Sequence, residues 1–563
     1  MSTARRIIAI LVALYVLLVL LDRFVLVQLF FERAGVPILF AIAGGLACIG
    51  TGFLARRLRQ DVALNFVIGY PIFGAICFLV GLLKISPWTM VPVVGLLGGV
   101  GLLSGGQTIL SVRPGRIAWP PLILVFLAAF IAAQAPPSTL DELAYHLAVP
   151  WTWVKEGRAI ALPLLSHSYF PLGVESADLP SLSILGATSG GIASHFLHLF
   201  AAIAVTALLL RRTKDSPILT AAIVATPALA LTAGWSFVDW PLLGVSLALV
   251  DAEDDATRAA ALGAGLLTKY TFLPIALIAI LLQRKWRALW PGAVIGSVFF
   301  IRNLILTGNP LAPFLSALAP HVTHYRGAAY LSDYIFSGAF IDESLGASLM
   351  MTIPLAIGVL SWCLVAAGGL LFALSPSSRL LVPFFALPAT RALPPNRPLR
   401  VLLAIAIGVQ LCLIAFFVDR TQAFALLSGH YSDEQYLAAM RPSTMTVAAL
   451  DAALPPQSLT LVIGLNESYW FQHRVRAGGN FDGPRLSAYL EAGSIDALYA
   501  RLRYDGITHV AVVTLPPPTE EAKKLEERET LLSDAAKRTL AQMLDARAGA
   551  VTQRGTATLF ALR

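Results

Sequence analysis

Residues 134–176 read QAPPSTLDELAYHLAVPWTWVKEGRAIALPLLSHSYFPLGVES, a polar stretch held between two oily ones. An apolar run at 117–133 precedes it and hydrophobicity resumes after it; between them stand Asp141, Glu142, Tyr145, His146, Lys155, Glu156 and His167. Ionisable groups at a membrane boundary are costly and need a solvent or substrate reason. The pattern predicts a short helix over residues 140–154 lying on the membrane surface, with Trp151 and Trp153 at headgroup level and Pro150 as a kink. Asp141 and Glu142 open that helix, where its dipole favours a carboxylate.

Outward from this stretch the chain is far more apolar than a soluble domain. Of 563 residues, 57% are hydrophobic and 13% charged, and the mean hydropathy is +0.74; this is the composition of a polytopic membrane protein. The net charge of +8 could suggest nucleic acid, but most Arg and Lys fall in short loops between apolar runs, the positive-inside pattern, so no nucleic-acid partner is expected. Cys48, Cys77, Cys363 and Cys412 all lie within apolar runs, which indicates neither a disulfide framework nor a thiolate metal site. The first residues, MSTARRIIAILVALYVLLVLLD, have the look of a signal peptide without a small-residue cleavage site, and are read as an uncleaved first span.

A span needs about 20 apolar residues, which predicts helices near 6–28, 36–55, 63–83, 89–106 and 117–135. Arg5 and Arg6, then Arg56, Arg57 and Arg59, then Arg113 and Arg116 mark the inner side, so the fifth span delivers Asp141 outside. Residues 177–190 are expected to stay in the outer loop. Further spans near 192–210, 217–235 and 240–250 carry Arg211, Arg212 and Lys214 inside and Trp235, Ser236 and Asp239 outside. Two short helices, 258–268 and 271–282, hinge at Lys269 on the outer side, and 289–306 brings Arg302 and Asn303 to its outer end. Residues 311–345 form a second outer loop with His321, His324 and Arg326, and 347–374 returns inward. The stretch 375–400, with Arg379, Arg391, Arg397 and Arg400 around an apolar patch, reads as a hairpin on the inner face, and 401–418 exits. That makes roughly thirteen crossings with the N-terminus inside.

From Asp419 the composition turns to that of a soluble domain. Strands are expected at 459–464, 509–514 and 556–562, and helical runs at 436–454, 484–504 and 520–548, a small α/β domain. The expected organisation is therefore an all-α polytopic membrane domain, 1–418, in which 1–116 are extra N-terminal helices and 134–190 the first outer loop, followed by an extracytoplasmic α/β domain, 419–563.

The pattern Asp-Glu-x-x-Tyr-His-x-x-x-Pro at 141–150, Lys155 and Gly157, then Tyr169-Phe170-Pro171 and Glu175, resembles the first extracytoplasmic loop of bacterial GT-C glycosyltransferases, of the protein mannosyltransferase and aminoarabinose transferase kind. Asp239 before a short span, Leu-Thr-Lys-Tyr at 267–270, and Ile-Arg-Asn followed by Thr-Gly-Asn-Pro at 301–310 extend the resemblance. It implies a multi-pass protein of the bacterial inner membrane that takes a sugar from a polyprenyl-phosphate donor and passes it to a glycan, lipid or protein acceptor on the outer face. By the same resemblance Asp141 is the base, Glu142 its assistant and Asp239 a second acidic position that orients the sugar or acceptor.

Such a reaction needs a base, cations for the leaving phosphate and an apolar groove for the prenyl chain. Lys269, Arg302 and Arg326 are the expected phosphate ligands, and Tyr145, His146, His167 and Asn303 the expected substrate contacts. No metal ligand set is assigned: His321 and His324 have metal-like spacing without a third ligand, and whether two carboxylates near a phosphate hold a divalent cation stays open. A transporter of a lipid-linked or anionic substrate is the rival class, and an O-antigen ligase or polymerase the rival enzyme. Transporters favour internal repeats and broken helices at mid-depth; no repeat is visible here, and the charges gather at one face.

Overall fold

The computed structural model describes residues 25–109, 120–213, 216–284, 286–314, 345–374, 378–393, 395–479, 482–513 and 532–563. Most of the expected span 6–28, Arg326 and the His321/His324 pair lie outside them. The chain is mostly helical with a small sheet near the C-terminus. Among the described residues five helices are long and apolar enough to cross a membrane: Phe30–Ala55, Val62–Leu83, Pro87–Ser104, Leu179–Arg212 and Arg397–Arg420. Two bent pairs, Pro217–Val224 with Pro227–Gly234 at 74° and Leu289–Gly296 with Val298–Thr307 at 57°, raise that to seven if each is one span. The first bend has a local cause, since Thr226 precedes a proline and takes ψ 125°. Broken helices are thus present where the sequence alone offered no sign of them. Gly186, with φ 76°, interrupts Leu179–Arg212 and separates residues 179–185 from the crossing.

The N-terminal helices are the floor of the polar segment. Val62–Leu83 crosses Val25–Ala55 so closely that a Cβ on Gly69 would overlap the Cys48 carbonyl oxygen, and one on Gly74 would overlap that of Gly173 in the first loop. Tyr70, from the same helix, hydrogen-bonds His198 at 3.0 Å. Exposed apolar side chains such as Leu83, Trp88 and Leu103 cover the outward faces of these helices, as a lipid-facing surface requires.

One end of the bundle is tied by ions. Arg211 pairs with Asp61 at 2.7 Å, Arg212 with Asp251 at 2.9 Å and Arg59 with Asp254 at 3.4 Å, while buried Arg56 donates to Asn65 and Thr257. Arg56, Arg59, Arg211 and Arg212 were expected on the inner side, and they share one end. Arg391 lies within electrostatic reach of Asp251 and Arg212 at that end. Arg379 contacts Asp141 and Asp239, and Asp239 and Asp251 are the two termini of one 13-residue helix. Residues 378–393 therefore run from the Asp141 end to the Asp251 end alongside that helix, and are not a hairpin on one face. The buried helix Val382–Ala389 escaped notice as a traverse because its apolar run is too short for a span. The expected long helix 347–374 is likewise two, Ala347–Thr352 and Val359–Leu374, divided at Ala356, which bridges Ala392.

In the C-terminal domain five strands, β1 (Leu459–Ile463), β2 (Arg474–Ala477), β3 (His509–Val513), β4 (Ala548–Arg554) and β5 (Ala557–Leu562), form one sheet in the order β2-β1-β3-β5-β4. β1 pairs in parallel with β2 and β3, and β5 pairs antiparallel with β3 and β4. The three expected strands are the inner ones; the two unexpected ones are edges, short or polar, with little hydrophobic signal. The run 484–504 is two helices, Gly483–Leu490 and Ile495–Tyr504, parted at Gly493 with φ 85°, and Pro442 divides the run 436–454.

The domain is clamped to the first loop. Lys155 Nζ donates to the carbonyls of Phe471 and His473 at 2.7 and 3.0 Å, Tyr469 Oη donates to Ala187 O at 2.6 Å, and Arg476 pairs with Glu156 at 2.8 Å. Asp482 accepts the backbone N–H groups of Ser166 and Gly479. Trp153 is fully buried and Trp151 nearly so, each donating its indole N–H to a carbonyl, of Ile160 and Phe471. The loop helix, Ala148–Glu156 with Pro150 in its first turn, thus lies under the domain; its tryptophans are not at headgroup level.

Candidate active site

The polar centre begins at a single wide turn, a π-helical segment over Glu142–His146, a geometry frequent at functional sites. Asp141 precedes it, keeps 24% of its side chain exposed, and accepts from Arg379 Nη2 at 2.5 Å. Asp239 opens its own helix but does not cap it. It is 2% exposed, its Oδ2 accepts no hydrogen bond among the described residues, and Arg379 Nε stands 3.7 Å away. The Arg379 guanidinium lies 4.6 Å over the Phe237 ring. Lys269, in the link between Asp255–Leu266 and Phe272–Gln283, is within electrostatic reach of Asp239, Asp141, Glu175 and Arg379. Four segments far apart in sequence thus bring two carboxylates and two cations together.

Glu142 is one residue away and differently employed. It is fully buried and accepts from His195 Nε2 at 2.7 Å, Ser236 N at 2.8 Å, and Thr139 N and Oγ1 at 3.2 and 2.7 Å. Burial alone would raise its carboxyl, but His195 and these donors outweigh it and hold it down to about 2. Glu142 is a structural anion that ties the loop to Leu179–Arg212 and to the Ser236 turn. Expected beside the base, the carboxylate is placed here with both oxygens engaged by buried donors and away from Arg379.

His146 Nδ1 and Glu175 Oε1 are 2.9 Å apart, both buried, and among the described residues His146 Nε2 and Glu175 Oε2 have no hydrogen-bond partner. Burial pushes Glu175 up to about 8 and His146 well below the usual histidine value, so the two form a neutral pair. Around them Tyr145 stacks on His167 with centroids 4.3 Å apart, and Phe237 lies 5.3 Å from His146. Tyr145, His146 and His167 thus line an aromatic wall beside the charged centre, and the Asp482 clamp fixes the turn that carries His167.

Arg302 and Asn303 are elsewhere. Arg302 packs against Phe78, Trp153 and Tyr169 with 5.6–5.8 Å to the ring centroids and donates to Ser168 O at 2.6 Å. It makes no ion pair or hydrogen bond with Asp141 or Asp239 among the described residues. Asn303 is buried and donates to Tyr169 O at 2.6 Å and Ala312 O at 3.3 Å, and sits 3.0 Å from Tyr270 Oη. The structure places both apart from the Asp141 centre, where they brace the Tyr169 turn, and leaves Arg302 Nη2 and Asn303 Oδ1 buried without a hydrogen-bond partner among the described residues. Lys155, too, is taken up by the domain clamp.

Arg379 and Glu175 were not among the expected site residues, although Glu175 belonged to the loop motif. Arg379 was hidden by its neighbours: four arginines in 375–400 read together as one inner-face cluster. Among the described residues no group of three His, Cys, Asp or Glu side chains is arranged to hold a metal.

No protein-family model matches the chain, and no curated protein does. Among solved structures it is similar to ArnT from Cupriavidus metallidurans bound to undecaprenyl phosphate, with a TM-score of 0.45 and 16% identity over 81% of this chain and 98% of that one. It is similar also to ArnT from Cupriavidus metallidurans in the apo state, with a TM-score of 0.46 and 14% identity over the same shares.

Proposed function

We propose that the chain is a GT-C-type membrane glycosyltransferase that moves a hexosyl or pentosyl group from a polyprenyl-phosphate donor to a glycan, lipid or protein acceptor. The observation that carries this reading is the convergence of Asp141, Asp239, Arg379 and Lys269 in an otherwise apolar chain. Asp141 takes the acceptor hydroxyl's proton as its oxygen attacks the anomeric carbon; the bond from that carbon to the phosphate oxygen breaks, and polyprenyl phosphate leaves with the electron pair. Lys269 offsets the charge that develops on the leaving phosphate. Asp239, paired with the same cations, orients the sugar or the acceptor. The neutral His146–Glu175 pair and the Tyr145/His167 wall suit the sugar ring, whose hydroxyls can both donate and accept.

In this reading the protein crosses a bacterial plasma membrane many times, and its charged centre and C-terminal domain face outward, as the loop arginines favour. Membranes containing the chain, given polyprenyl-phosphate sugars labelled in the sugar, should label an envelope lipid or glycan, and the label should be lost with Asp141→Asn. Label that stays on every donor tried, at protein levels where the chain is folded, would contradict the assignment.

A further inference from the structure

Arg379 stands where the reaction needs a free carboxylate and a cation for the phosphate, and here it meets neither need fully. Its Nη2 donates to Asp141 Oδ2 at 2.5 Å, which ties up one of the two oxygens able to take a proton. Its Nε is 3.7 Å from Asp239 Oδ2, too far for a hydrogen bond. The flat side of the guanidinium rests on Phe237, 4.6 Å from the centroid. A guanidinium is a rigid planar fork suited to two phosphate oxygens at once. It can exchange a carboxylate for a phosphate at its edge while its face stays on the ring.

We propose that Arg379 is a ligand of the donor phosphate and restrains Asp141 until that phosphate arrives. Donor binding draws the guanidinium off Asp141 and uncovers the base; only hydrogen-bond partners change, and no covalent bond or proton moves in this step. The inference rests on the glycosyltransferase reading and adds an order to it, with the donor bound before the acceptor can be activated. The contrasting role is a fixed strut that spaces Asp141 from Asp239 whether or not a donor is present.

The two differ in how Asp141 affects phosphate binding. The probe is undecaprenyl phosphate, measured on the purified full-length protein against undecaprenol, which lacks the phosphate. Arg379→Met should weaken binding about tenfold or more, the worth of a charge-assisted hydrogen bond. Asp141→Asn should strengthen binding, because the guanidinium is no longer held, and that gain should vanish in the Arg379→Met background. A gain that persists undiminished there would reflect removed repulsion and overturn the proposal, as would unchanged binding by Arg379→Met. Should Arg379→Met not fold, Asp141→Asn still decides: no gain in binding overturns the restraint. If the folded wild type does not distinguish undecaprenyl phosphate from undecaprenol, the donor reading itself falls, a failure separate from that of Arg379 alone.

Discussion

Two arginines lie against aromatic rings beside the first loop, one near Asp141 and the other near Tyr169, and they differ in what else they meet. Arg302 is surrounded by Phe78, Trp153 and Tyr169, with a backbone carbonyl as its polar partner. Arg379 rests on Phe237 and faces two carboxylates. Three rings and one backbone carbonyl hold the Arg302 guanidinium away from the two aspartates, although its buried Nη2 has no hydrogen-bond partner among the described residues. Two carboxylates around one guanidinium with Lys269 beside it form a set of charges that an incoming phosphate can rearrange. The same contrast separates Asp141 from Glu142: neighbours in sequence, one partly open beside a cation and the other sealed by four hydrogen-bond donors.

The largest expected effect that would break this comparison is on turnover. Asp141→Asn keeps the side chain's shape but not its basicity, and should cost about 100-fold or more, with the thermal melt of the purified variant unchanged. A fall in melting temperature equal to that of a core variant would make Asp141 a structural anion like Glu142.

Glu142→Gln should do the reverse. Removing one partner of a buried charge pair costs about 3–5 kcal/mol, so yield and melting temperature should fall, while the molecules that fold retain turnover within a few-fold. The pH dependence sharpens this. Because the carboxyl is held down to about 2 when folded, the unfolded chain binds the extra proton on acidification. The stabilisation is complete above the ordinary glutamate range, near 4.5, and drains away as pH falls toward 2. Glu142→Gln should lack that acid-dependent part of the melt, and an identical pH profile would show that Glu142 is not the anion that holds the loop.

Arg302→Lys keeps the charge and loses the planar stack. A loss of about 1–2 kcal/mol in stability is expected from the cation–π contacts, with donor dependence unaltered; Lys269→Ala should instead raise the donor concentration needed. Titrating donor against both variants checks this, and a shift confined to Arg302→Lys would return Arg302 to the phosphate.

A further effect lies at the domain clamp. Burial holds Lys155 down to about 7 from its ordinary 10.5, so stability should rise as pH climbs through that window, the unfolded chain being the better proton binder. Lys155→Met should flatten this part of a melting-temperature profile, and an unaltered slope would remove Lys155 from the clamp's pH response.

What the sequence made legible was whatever hydrophobic periodicity and composition report directly. The spans at 63–83, 89–106 and 401–418 appear as helices close to those limits, while 36–55 is the later part of a longer helix, Val25–Ala55, and the inner strands β1, β3 and β5 lie where the apolar runs of the tail placed them. Asp141, Asp239 and Lys269 were singled out one by one, each next to a helix boundary. Hidden were features set by three-dimensional approach. Val382–Ala389 is apolar but short, and only its burial marks it as a traverse. The roles of Glu142, Arg302 and Asn303 depend on His195, Tyr169 and Ala312, distant partners that no local pattern names. The clamp between Lys155 and the Phe471 carbonyl is a backbone contact, and so leaves no side-chain signature on the partner.

The bent helix pairs keep a transporter in view, since such breaks also build transport sites, and one measurement separates the two classes. Purified protein in sealed vesicles is given a polyprenyl-phosphate sugar and an envelope-lipid acceptor, and both the intact donor and free polyprenyl phosphate are followed. The expected result is cleavage: polyprenyl phosphate appears in step with labelled acceptor, and Asp141→Asn abolishes both. Recovery of uncleaved donor in the opposite leaflet, with no polyprenyl phosphate formed, would contradict transfer at the Asp141 centre and assign the chain to translocation.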